Sequence, residues 1–117
     1  MAKIALSLIS RGKGEEQNLD RALASIANHV DALYVTLTSP TNQLSEAEKV
    51  CKKYGAIVSY NEAKYIIKQE DVSWLKNFFG YEPYVKEGDK LFLFDEARNF
   101  NLQQISKDYE WFLWIDT

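Results

Sequence analysis

The hydrophobic pattern of the chain switches repeatedly between a strand-like and a helical period. Lys3 to Ile9 is a short apolar run with β-branched character and predicts a buried strand. The polar stretch Ser10-Arg11-Gly12-Lys13-Gly14-Glu15-Glu16 predicts a loop. Leu19, Ala22, Leu23, Ile26 and Ala27 then recur at i, i+3, i+4, i+7 and i+8, which is one apolar stripe of a helix. Ala32 to Leu37 predicts a second strand, and the turn residues Thr38-Ser39-Pro40-Thr41-Asn42 a loop. Ser45 and Glu48 have the spacing of a capping box, so a second helix is expected from Ser45. Its apolar face is Ala47, Val50, Cys51 and Tyr54, and Gly55 is expected to stop it. Ala56 to Tyr60 predicts a third strand.

A β-α-β-α-β order with short loops predicts a parallel sheet of the α/β class. The order breaks at residues 61 to 93, a stretch longer than an ordinary connection. It is expected to hold a short helix near Asp71 to Phe79, with Trp74, Leu75, Phe78 and Phe79 on one side. Turn signals follow at Glu82-Pro83 and Glu87-Gly88-Asp89, then an extra strand over Lys90 to Phe94. The pattern resumes with a helix from about Asp95 to Lys107 and the apolar strand Trp111 to Ile115, which runs into Asp116.

Composition narrows the classes. With 117 residues, 46% hydrophobic and 26% charged, the chain suits one globular domain. A net charge of −3 argues against a nucleic-acid binder, which usually carries a basic patch. No apolar run approaches the ~20 residues of a membrane span. Met1-Ala2-Lys3-Ile4 leads straight into a strand, so no signal peptide is expected. Cys51 is the single cysteine, which excludes an intrachain disulfide and suits a reducing, cytoplasmic setting; it reads as a helix-face core residue. With His29 as the single histidine, neither a Cys/His zinc site nor a serine–histidine–acid set is supported.

Two residues stand out as chemistry. Arg98 lies in the first turn of the third main helix and heads the inward stripe Arg98, Asn101, Leu102, Ile105. An inward arginine at a helix N-terminus adds to the positive end of the dipole and favours a phosphate or carboxylate. A structural ion pair with Asp116 or Glu96 is the alternative. Asp116 follows five apolar residues. An acid delivered by such a strand suits a ligand crevice and is a hard-oxygen ligand for magnesium or manganese on a diphosphate; an N-cap or turn role is the alternative. Gly12-Lys13-Gly14 is a fragment of the dinucleotide fingerprint, and a plain loop near a ligand is the better expectation. Glu15-Glu16 fits the first turn of the next helix. Tyr65, Trp74, Phe78, Phe79, Tyr81 and Tyr84 could stack on bases or sugars, but packing is the stronger expectation.

Four regions together resemble the N-terminal, nucleotide-binding part of a family 2 glycosyltransferase with the A-type fold. They are Ile4 to Glu16 followed by Asn18-Leu19-x-x-Ala22-Leu23-x-Ser25-Ile26; the second strand with Thr38-Ser39-Pro40-Thr41-Asn42; Ala47 to Tyr60 with its Lys53-Tyr54-Gly55-Ala56 turn; and Glu96-Ala97-Arg98-Asn99 followed by Trp114-Ile115-Asp116. The last resembles the family's A-R-N helix and Asp-x-Asp strand end. The resemblance implies a three-layer α/β/α sandwich of Rossmann-like, nucleotide-diphospho-sugar transferase type, with residues 61 to 93 inserted. It implies transfer of a sugar from a nucleotide diphosphate to the hydroxyl of a glycan, lipid or protein acceptor, usually with inversion. A divalent ion (Mn2+ or Mg2+) would neutralise the leaving diphosphate. Asp116 matches the first aspartate of the motif and Arg98 the arginine that helps hold the nucleotide. Ser10 and Thr38 fall at strand ends that border the base and ribose.

The chain departs from that pattern in two places. Leu37 stands where the family often has a base-reading aspartate. The second aspartate of the motif would follow Thr117, and the acceptor half and catalytic base lie further on in the family. The chain is therefore expected to be a fragment, with no transferase turnover alone. A flavodoxin-like or receiver-like domain that binds a ligand or partner is the competing class. Ser10-Arg11 and Tyr60-Asn61 occupy the positions where a receiver domain needs its acids. A transferase-derived interaction module without catalysis is a third reading, supported by Leu37.

Overall fold

A computed structural model of the chain describes residues 3–81 and 84–116, except for the side chain of Asp116. Two compact units are present, Met1–Glu62 with Phe94–Thr117, and Ala63–Leu93.

The first unit is an α/β fold on a parallel sheet. Its strands are β1 (Ile4–Ser10), β2 (Ala32–Leu37), β3 (Ile57–Tyr60) and β6 (Trp111–Asp116). They lie in the order β3-β2-β1-β6, and every pairing is parallel. Helices α1 (Glu16–Ile26), α2 (Ser45–Lys53) and α4 (Phe94–Gln104) belong to the same unit. β1 and β2 are central and buried along almost their whole length, as strands inside an α/β sheet must be.

Side chains alternate across these strands. Leu6 and Leu8 of β1, and Leu33, Val35 and Leu37 of β2, form one core with Leu19 and Leu23 of α1 and Leu44, Ala47 and Cys51 around α2. The intervening Ser7 and Thr36 instead meet α4, through Asn101. The expected stripe on α1 thus holds, with Leu19 and Leu23 at its centre.

Two helix ends differ in how far local residues decide them. Ser45 and Glu48 do not form the expected capping box: Leu44 is the N-cap, no side chain caps the helix, and the Leu44 carbonyl takes the Glu48 N–H at 2.8 Å. Burying Leu44 in the core fixes the entry of the chain and leaves Ser45 inside the first turn. The other end matches expectation. Gly55 adopts φ +71°, donates to the Lys52 carbonyl, and lets Ala56 donate back to Cys51, which together make a Schellman closure.

The second unit holds β4 (Lys64–Ile66), α3 (Gln69–Phe79) and β5 (Lys90–Phe92), with β4 and β5 antiparallel. β4 is an element that the hydrophobic pattern does not announce; three residues are too few to show a period, and pairing with β5 creates it. The aromatic residues of α3 are not consumed by burial. Trp74 and Phe78 are 61% and 68% exposed and stack on each other at 5.2 Å, and Phe79 packs edge-on against Phe78. The expected turn at Glu82-Pro83 lies outside the described residues. Among the described residues, no helix is long and apolar enough to cross a membrane.

Candidate functional site

Sheet topology singles out one edge of the first unit. From β1 the chain builds outward through β2 to β3, and β6 then joins the opposite side of β1. The order reverses between β1 and β6. In open parallel sheets a crevice opens at such a switch point, beyond the carboxyl ends of the strands. The register places Ser10 opposite Leu37, and Ile9 opposite Asp116. Thr38 follows Leu37 directly. Ser10, Thr38 and the backbone of Asp116 therefore share the carboxyl edge. The side chain of Asp116, the expected metal ligand, lies outside the described residues, as does Thr117.

Helix α4 adds Arg98, in its second turn rather than its first, because the helix begins at Phe94. The guanidinium carbon lies 2.9 Å from the centroid of the Trp114 ring and 5.1 Å from that of Phe94. A guanidinium stacks readily on such faces because the ring quadrupole attracts the cation. Stacking occupies the plane of the group but none of its N–H donors. Nε and Nη2 are buried and find no hydrogen-bond acceptor among the described residues. Among the described residues Arg98 forms no ion pair with Glu96, while the alternative partner, the Asp116 carboxylate, lies outside them. Buried donors left unmatched cost about 1–3 kcal/mol each, more when charged. An anion offering two oxygens in a plane is the natural complement of that fork.

Ser10 and Thr38 are largely engaged by their own loops. The Ser10 hydroxyl accepts from the Gly12 N–H at 3.0 Å and reaches a Glu15 carboxylate oxygen at 3.5 Å. Thr38 donates its N–H to the Ser10 carbonyl at 3.0 Å. Gly12-Lys13-Gly14 is not an open phosphate cradle. Gly12 is pressed against Leu44, and the Gly14 N–H is taken by the Glu16 carboxylate at 2.9 Å from both oxygens. A concavity beside this loop is lined by Gly14, Glu16, Gln17, Asn18 and Glu46, whose carboxylates disfavour an anionic ligand.

A divalent ion has few protein ligands here. No group of three or more His, Cys, Asp or Glu residues that could hold a metal occurs among the described residues. The backbone of Asp116 lies at the carboxyl edge, and a single carboxylate does not make a metal site without ligand oxygens from a diphosphate.

Asn101 is the polar residue that sequence reasoning left as one more position in a stripe. It is 0% exposed. Its Nδ2 donates to the Leu8 carbonyl at 3.2 Å, the Tyr34 carbonyl at 3.1 Å and Thr36 Oγ1 at 2.9 Å, and its Oδ1 accepts from Ser7 Oγ. Thr36 Oγ1 continues the chain to Ser59 Oγ at 2.8 Å. The available signal was a polar residue inside each of two apolar strands, Ser7 and Thr36, together with an asparagine on an inward stripe.

Comparison with known proteins adds no relative: no family model, no curated protein and no solved structure matches the chain.

Proposed function

We propose that the chain is the nucleotide-diphosphate-sugar-binding part of a metal-dependent, inverting glycosyltransferase of family 2, built on a three-layer α/β/α sandwich. The observation that carries this reading is Arg98. Its two buried donors lack acceptors among the described residues, and it stacks on Trp114 of β6, the strand that borders the topological switch point. A diphosphate would satisfy both donors. Asp116, from the end of the same strand, would share a Mn2+ or Mg2+ ion with the diphosphate oxygens. The ion would offset the charge that develops on the leaving diphosphate. Ser10 and Thr38 would border the base and ribose through backbone and side-chain oxygen atoms at the strand ends. The acceptor would be a hydroxyl of a glycan, a lipid or a protein, and the setting cytoplasmic.

Calorimetric titration of the full chain with UDP and with GDP, each with and without Mn2+, tests the proposal. Binding of one nucleotide that is strengthened by Mn2+ and weakened about 10–100-fold by Arg98→Ala is the expected result, the size of a lost charge-assisted pair of hydrogen bonds. Failure of both nucleotides to bind would sink it.

A partner-binding α/β domain is the second reading, and β6 favours it. Trp111, Phe112, Leu113 and Trp114 are all substantially exposed on an edge strand, where unpaired backbone groups invite another chain. Nucleotide binding that depends on Arg98 separates the two readings.

A further inference from the structure

We infer that Asn101 is a positioning residue for the Arg98 anion site: its amide, hydrogen-bonded into β1 and β2, sets the rotation of α4 that holds Arg98 against Trp114. The inference rests on the reading of Arg98 as an anion-binding group. Arg98 and Asn101 are three residues apart on one helix, so they share a face one turn from each other. An apolar side chain at position 101 would slide on the sheet, because dispersion contacts carry little direction. An amide with acceptors at 2.9, 3.1 and 3.2 Å cannot do so without losing bonds.

The network also dictates its own orientation. Oδ1 faces Ser7 Oγ, so the hydroxyl donates there and the amide nitrogen faces the two carbonyls. Thr36 Oγ1 accepts from Asn101 and shares a further hydrogen bond with Ser59 Oγ. The amide is thus oriented one way, and rotating α4 would cost it bonds to both strands. Buried polar networks of this kind rigidify and specify a unique core geometry. Misplacement of a reacting group by about 1 Å can cost roughly 10²-fold in rate, and the two-donor fork of Arg98 likewise depends on geometry.

The test uses Trp114 as the reporter, in a chain carrying Trp74→Phe and Trp111→Phe. Arg98→Ala removes the stacked cation and defines the emission of an uncovered Trp114. Asn101→Ala is expected to move the native-state emission most of the way to that value and to weaken UDP or GDP binding about tenfold. The combination Asn101→Ala with Arg98→Ala is expected to bind no more weakly than Arg98→Ala alone. A role confined to stability would lower the melting temperature and leave the emission of the folded state where it was, and that outcome overturns the inference. So do losses that multiply in the double variant. Should Asn101→Ala fail to fold, Ser7→Ala and Thr36→Val each remove one partner of the amide. Both are expected to shift the emission partway, with Thr36→Ser restoring the parent value; folded variants with unchanged emission refute the positioning role. If no nucleotide binds the parent chain, the transferase reading falls, while the fluorescence arm still decides whether Asn101 places Arg98.

Discussion

A methyl group at Gly12 is opposed by two separate effects that the structure allows to be measured apart. Gly12 has φ +81°, in the left-handed region that costs an L-residue about 1–2 kcal/mol. An added Cβ would also lie 2.5 Å from Leu44 Cδ2, with Ala47 Cβ at 3.3 Å and Leu37 Cδ2 at 3.4 Å. Leu44 and Leu37 are fully buried in the core shared by β2 and the α2 region, so the Leu44 methyl has little room to withdraw. Overpacking of this kind costs about 1–3 kcal/mol. Gly12→Ala should therefore destabilise the fold by about 2–5 kcal/mol in all. Gly55 provides the control. Its φ is +71°, yet nothing lies within 4 Å of a Cβ there. Gly55→Ala should show the backbone cost alone, about 1–2 kcal/mol. Urea unfolding measures both as shifts of the midpoint at constant slope. Adding Leu44→Ala makes room for the new methyl, so the double variant Gly12→Ala with Leu44→Ala should lose less than the sum of the single losses. Equal losses at Gly12 and Gly55, or strict additivity with Leu44→Ala, would refute the close-packing argument for the β1–α1 loop.

Other expectations follow from the core and from the α1–α2 contact. Burial, with the Glu48 carboxylate adding to it, pushes the Cys51 thiol up to about 11. A disulfide reagent at pH 8 should therefore leave the folded chain unlabelled and react once urea unfolds it. The unfolded chain releases this proton first, so the thiol's contribution to stability should fall as pH rises from about 9 to about 11, by up to roughly 3 kcal/mol, and Cys51→Ala should remove that part of the slope. The Tyr54 hydroxyl donates to Asp20, with Lys53 Nζ 3.4 Å away, and these partners hold the carboxyl below its ordinary range. That contribution is present above the ordinary carboxylate range and is lost as pH falls through the lowered value. Asp20→Asn should therefore be less stable than the parent at pH 7 and match it near pH 2, as read from urea midpoints at the two pH values.

Local pattern determined much of the first unit. The runs around Ile4–Ser10, Ala32–Leu37 and Ile57–Tyr60, the stripe of Leu19 and Leu23, and the Gly55 stop are each decided by residues close in sequence, through period, β-branching and a glycine's tolerance of positive φ. Arg98 could be marked as inward-facing by the same periodicity. What the pattern could not decide depends on residues far apart. Helix α2 begins at Ser45 as expected, but without the Ser45–Glu48 capping box: Leu44, drawn into a core made by β2 and α1, takes the N-cap position instead. The three-residue β4 exists through pairing with β5. The aromatic side of α3 has the spacing of a core face and yet is exposed, since spacing says which side chains are neighbours and not what they meet. Topology alone put β6 beside β1 and so brought the end of that strand to the switch point. The bonds of Asn101 span 65 to 94 positions of sequence. An arginine on a helix stripe is one of many in any chain. Its unmatched donors, its stacking on Trp114 and its anchored neighbour are properties of the folded packing, because burial and the supply of acceptors are set by elements that meet only in three dimensions.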